Sequence, residues 1–186
     1  MKDKTKTETR RLTVSSLLAA LSVVLLYVGA VSNFFSLTAV AVVSLLELFA
    51  VEEIGSPYKY AVYIVTGFLS ALLLPDKFTA LAYIVFGGVY PMLRTYFEKL
   101  KKPFSIVAKL VYFNLILTGL IAASLFVLAV EDEEMGFNLI TYGLGNLAFI
   151  AYEYTLSMIL ALYRHSLRDR LRVDRIFNNR NEADHD

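Results

Sequence analysis

A chain of 186 residues that is 57% hydrophobic and only 19% charged departs from a water-soluble domain, about a quarter of which is charged, and its length suits a single domain. The absence of cysteine excludes disulfide scaffolds, zinc ribbons, thiol nucleophiles and iron–sulfur sites. The two histidines, His165 and His185, lie too near the C-terminus to build a metal centre in a core, and a net charge of +1 offers no basic surface for nucleic acid.

The first apolar stretch carries no charged side chain from Leu12 to Leu46. As one helix it would reach about 52 Å at 1.5 Å per residue, well past a hydrocarbon core of about 30 Å, so the sequence predicts that it folds back. Ser32, Asn33 and Ser36 mark the turn, giving a first span over 12–32 and a second over 37–54. The first is too long for a signal-peptide core, and no small-residue cleavage site follows it. Two shorter segments come next, 58–75 and 78–93, divided by Pro75-Asp76-Lys77. The uncharged core of each covers about 24 Å as helix. Two arrangements fit them: full crossings with Lys59 and Arg94 reaching back to one interface, or a pair of re-entrant helices. Both return the chain to the same side.

Residues 94–105 set Tyr96, Phe97, Leu100 and Phe104 among Arg94, Lys99, Lys101 and Lys102, which predicts a short interfacial helix ended by Pro103. A fifth span follows over 106–130, then an acidic loop at 131–134, then a sixth span over 138–163 interrupted only by Glu153. The sixth helix is expected to continue into a basic tail, 164–186, whose last residues have the composition of a disordered segment. Of the 18 Lys and Arg residues, all but Lys77 fall on the side of the two termini. By the positive-inside rule, both the basic N-terminus (1–11) and the tail are cytoplasmic. The expected fold is therefore all-α: a polytopic protein of six transmembrane helices in a bacterial inner membrane. Attraction of the basic segments to anionic lipid, about 1 kcal/mol per residue near the surface, accounts for them without a protein partner.

Ionisable groups inside a bilayer cost a few kcal/mol and invite a functional reading. Glu153 lies near the middle of its span, Glu47 within about a turn of the interface if the second span stops at Val51 and near its centre if it runs to Ile54, and Asn114, Tyr142 and Asn146 lie within reach on the fifth and sixth. Together they form a candidate cluster for holding a small solute or a proton; the alternative is a tether between helices. On the outer face Asn33, Ser36, Asp76, Lys77, the acids at 131–134, Asn138, Thr141 and Tyr142 could cap a pocket; the alternative is ordinary loop residues with the acid run a solvated turn. Ser15 with Ala19 and Ser16 with Ala20 stand four apart on the first span, a small-residue stripe that lets another helix approach closely. Gly119 with Ala123 and Ala151 with Thr155 repeat the pattern and are read as internal packing. Gly87-Gly88 is expected to allow close packing or a kink ahead of Pro91. No GxxxxGK[ST], HExxH or GxSxG pattern occurs. The chain reads as no enzyme, without metal or cofactor, and any active transport would draw on other subunits.

The stretch Arg11-Leu12-Thr13-Val14-Ser15-Ser16-Leu17-Leu18-Ala19-Ala20-Leu21 resembles the start of the substrate-binding S components of energy-coupling-factor transporters. Segments 73–77 and 86–91 are similar to an uncharacterised bacterial membrane family of the same general type, and the architectural resemblance covers 10–163. It implies a six-helix protein that captures a vitamin-like solute from outside and hands it to a transmembrane coupling subunit driven by two ATPases. The Ser15/Ala19 and Ser16/Ala20 stripe would occupy the docking position, where the family favours Ala-xxx-Ala, and Tyr142, Asn146 and Glu153 would be pocket candidates. Two other readings remain open on the residues. One is a non-transporting scaffold of cell-envelope assembly of the rod-shape-protein type; the other is a small proton-coupled carrier using Glu47 and Glu153.

Overall fold

The structure, a computed structural model, describes residues 2–32, 35–126 and 139–167. Every secondary-structure element among them is helical. Three helices are long and apolar enough to cross a membrane, over Thr7–Val31, Lys102–Ser124 and Leu139–His165. Large apolar side chains stay exposed on their flanks, Leu17, Leu115, Ile140 and Leu144 among them, as expected where lipid replaces water as solvent.

Helix α1, Lys2–Val31, begins ten residues before the expected span because the charged N-terminal residues continue the same helix. Its hydroxyls fold back on the backbone: Thr13 donates to Thr9 O (2.9 Å), Ser15 to Arg11 O (2.8 Å) and Ser16 to Leu12 O (2.9 Å). Polar groups so satisfied are tolerated where no water reaches. After the turn comes α2, Ser36–Phe49, whose Ser36 hydroxyl returns to Gly29 O at 3.4 Å. A Cβ at Gly29 would lie 2.3 Å from the Ala39 Cβ, so the hairpin closes only because that position lacks a side chain.

The second segment ends not in α-helix but in a π-turn, Ala50–Ile54. It is terminated by Gly55 at φ 72° and followed by a cis Ser56–Pro57 bond. Helix α3, Tyr58–Leu73, leads to a corner at 74–76. There Asp76 accepts the Phe78 and Thr79 amides at 2.9 and 3.2 Å and the Thr79 hydroxyl, capping the next helix. Lys77 Nζ turns back to Ala71 O (3.0 Å) and Leu74 O (2.9 Å), closing α3.

The fourth segment is a broken rod: α4, Lys77–Ala82, a π-turn, Tyr83–Gly87, and α5, Val89–Phe97. Proline 91 explains the break, since its ring would clash with the Gly87 carbonyl one turn back and it has no N–H to give it; widening the turn relieves both. Two carbonyls of the widened turn also accept side-chain hydroxyls from neighbouring helices, Ile84 O from Tyr63 (2.9 Å) and Val85 O from Tyr112 (2.8 Å). The glycine pair also permits close packing: a Cβ at Gly87 would lie 2.7 Å from Val40 Cγ1, and one at Gly88 2.4 Å from Tyr63 Cδ2.

Helix α6, Lys102–Phe126, and helix α7, Leu139–Leu162, the latter extended by a π-turn over Tyr163–Leu167, complete the described chain. The interfacial helix expected over 94–105 is not formed. Residues 94–97 are the last turn of α5, 98–101 are a turn, and α6 starts at Lys102. Pro103 thus opens a helix rather than ending one, because the first-turn N–H it lacks would have had no partner. Residues 127–130 of the fifth span, the acidic loop, Asn138, Asn33 and the tail beyond residue 167 lie outside the described residues.

Helix α2 is central. With α1 and α4 it buries Leu26, Val40, Val43, Ala80 and Tyr83. The π-turn at its end packs Ala50 and Ile54 between Leu18 and Ala19 of α1 and Val62 of α3. Its Leu48 joins Tyr90 of α5 and Phe149, Leu156 and Leu160 of α7. Helix α6 lies at the side, against α4, α5 and α7.

Candidate functional site

Helices α5, α6 and α7 meet at a group of charged side chains within an otherwise apolar interior. Glu153 projects from the middle of α7, and its Oε1 accepts from Arg94 Nε at 3.1 Å and from Lys109 Nζ at 2.5 Å. Its Oε2 accepts the Tyr90 hydroxyl at 2.5 Å. Arg94 Nη2 donates to the Ser157 hydroxyl at 2.9 Å and to Glu98 at 2.8 Å. Arg94 and Lys109 are only 3% and 8% exposed, an uncommon depth for either cation unless it is paired.

Local sequence explains the arrangement. Tyr90 and Arg94 on α5 and Glu98 just past its end follow at intervals of four and so share one face, as do Glu153 and Ser157 on α7. Lys109, two turns into α6, brings the second cation. Around the cluster lies an aromatic shell: Phe86 stacks on Tyr90 (centroids 5.3 Å apart) and Phe113 on Phe149 (4.5 Å), with Tyr152 tilted against both Phe86 and Tyr90. The Tyr152 hydroxyl shares a hydrogen bond with Ser44 of α2. Such walls exclude water and strengthen every electrostatic contact inside them.

The other residues singled out from the sequence are divided among separate places. Asn114 and Asn146 face each other across α6 and α7 and exchange reciprocal amide bonds of 2.9 and 3.0 Å. Each also donates to the carbonyl one turn back, Leu110 O and Tyr142 O, at 2.8 Å. With both amides answered, the pair acts as a clasp between helices. Tyr142 shares a hydrogen bond of 2.8 Å with Thr118 one turn further along. Glu47 is brought to neither group. It is 1% exposed, its Oε2 meets the Tyr83 hydroxyl at a long 3.4 Å, and its Oε1 has no partner among the described residues.

The small-residue stripe also divides. Ser15 and Ala19 are buried against the α2 end and α3, whereas Ser16 and Ala20 face outward and uncovered. Gly119, Ala151 and Thr155, expected to pack internally, are exposed as well, and a Cβ at Gly119 would touch nothing within 4 Å.

Sequence reading missed Tyr90, Arg94, Lys109 and Ser157 because the two cations were counted with the loop charges that set orientation. The usable signal was chemical: a lone acid in an apolar span calls for a cation, and Arg94 and Lys109 stand within or next to neighbouring apolar runs. No family model matches the chain, and no curated protein or solved structure is found similar to it.

Proposed function

We propose that this chain is a solute-binding membrane subunit, of the kind energy-coupling-factor transporters use as S components, and that its ligand reaches the polar face shared by α5, α6 and α7. The observation that carries the reading is the Arg94–Lys109–Glu153 cluster. Apolar packing of similar volume would hold three helices as well without the desolvation of three charges, so charges kept inside a lipid-solvated bundle point to a role beyond cohesion. The outward Ser16/Ala20 stripe supports a docking place for a coupling subunit, and the absence of any nucleotide motif supports dependence on separate ATPases. Both termini are cytoplasmic in this reading, with Lys77 on the opposite face, in the inner membrane of a bacterium.

The chain extracted from its native membrane in mild detergent should retain a small molecule by native mass spectrometry, and Arg94→Gln should release it. It should also bring down a membrane coupling subunit and two ATPases, and Ala20→Leu should break that association. Recovery of cell-wall assembly proteins in their place, with no retained solute, would favour the scaffold. Because the sequence has no cysteine, single reporters test orientation cleanly. A cysteine at Lys4 should be labelled only after permeabilisation, and one at Asp132 in intact cells.

A further inference from the structure

We infer that the α5–α6–α7 cluster takes an oxyanion, a carboxylate or phosphate group, held by Arg94 and Lys109 in the place Glu98 now occupies. This rests on the reading that the cluster receives a ligand and names the ligand's class.

Donors outnumber acceptors there. A guanidinium offers five N–H groups and an ammonium three. The acceptors in contact are Glu153, Ser157 and Glu98. Those bonds use Arg94 Nε and Nη2 and one direction of Lys109. Arg94 Nη1 is buried with no hydrogen-bond partner. The remaining directions of Lys109 likewise meet no acceptor among the described residues. Buried N–H groups rarely go unanswered, and an oxyanion brings several acceptor atoms at once, with the bidentate geometry that suits arginine.

Charge points the same way. Arg94 and Lys109 share one deep carboxylate, and the second negative charge belongs to Glu98, whose side chain is 42% exposed while that of Arg94 is 4% exposed. Glu98 lies just past the end of α5, in the turn before α6. Its side chain can swing into water without moving either helix, leaving Nη2 and Nη1 to an incoming anion. An internal carboxylate at the water-facing edge of two buried cations thus serves as the occupant that a ligand displaces.

The same chemistry could come from a dissolved anion or from a lipid headgroup. The test uses the full chain in phosphatidylcholine nanodiscs, with the thermal unfolding midpoint read against inorganic phosphate at fixed ionic strength. A parallel series replaces part of the phosphatidylcholine by phosphatidylglycerol. A rise with phosphate assigns a soluble anion, and a rise with phosphatidylglycerol alone assigns a headgroup. In either arm Glu98→Gln removes the competitor and should lower the half-saturating concentration about tenfold, a gain that damage to the fold does not produce. Lys109→Gln should raise it; should that variant fail to fold, Glu98→Gln decides alone. No rise in either series, or a rise of the same concentration dependence in the wild type and Glu98→Gln, overturns the inference. A solute retained by the wild type and lost from Arg94→Gln would leave the binding reading standing even then.

Discussion

Glu153 answers two cations and a phenol, so removing its charge leaves Arg94 and Lys109 buried beside a neutral amide. Breaking one partner of a buried pair is expensive. Glu153→Gln should therefore lower unfolding stability by about 3 kcal/mol, measured by thermal or denaturant unfolding in detergent. Lys109→Met combined with it should cost less than the two single changes added together, the mark of direct coupling. Glycines give a second contrast. An alanine at Gly88 would push into the Tyr63 ring and should cost about 1–3 kcal/mol through overpacking. At Gly119, with open space around it, the same change should be neutral or stabilise by up to about 1 kcal/mol from helix propensity. The sequence made Glu153 visible as an acid stranded in an apolar run. It did not reveal the partners, since nothing in a linear charge count distinguishes an arginine that reaches out to headgroups from one that turns inward.

The broken fourth segment owes its shape to one proline and its stability to two neighbours. Tyr63 from α3 and Tyr112 from α6 hold adjacent carbonyls of the Tyr83–Gly87 turn. Tyr63→Phe and Tyr112→Phe should each cost about 1 kcal/mol, and amide exchange should quicken around residues 83–88 before it does in α1. Gly87-Gly88 ahead of Pro91 predicts close packing or a kink; the structure has close packing there beside a widened turn whose form required knowing which helices lie alongside. The failed interfacial helix over 94–105 has a similar origin. Periodicity linked Tyr96, Phe97, Leu100 and Phe104 across a point where the chain turns, and Pro103 fits the opening of a helix better than its end. The two small-residue pairs on α1 show the limit of spacing alone: offset by one residue, they point to opposite environments.

Among the described residues every expected segment is helical, and three helices are long and apolar enough to cross a membrane, a solvent that leaves a chain few ways to satisfy its backbone. How the helices join was hidden, since it depends on side chains distant in sequence. Helix α7 is fastened to the body largely by rings: Phe149 stacks on Phe113 with centroids 4.5 Å apart and meets Phe86 and Tyr90 edge to face at 6.1 and 5.4 Å. Phe149→Ala should cost about 2–4 kcal/mol, with limited proteolysis of the detergent-solubilised chain cutting first near α7 while α1 to α3 stay protected. By contrast the Glu52–Arg164 pair, bidentate but more than half exposed on the arginine side, should matter by less than about 1 kcal/mol.

The corner between α3 and α4 is capped on both sides by adjacent residues. Asp76 serves the helix ahead of it and Lys77 the helix behind, so the polar groups of both helix ends are answered within the corner. A tip that completes its own hydrogen bonds lets those two segments close on each other as a hairpin before the residues that pack around them are in place.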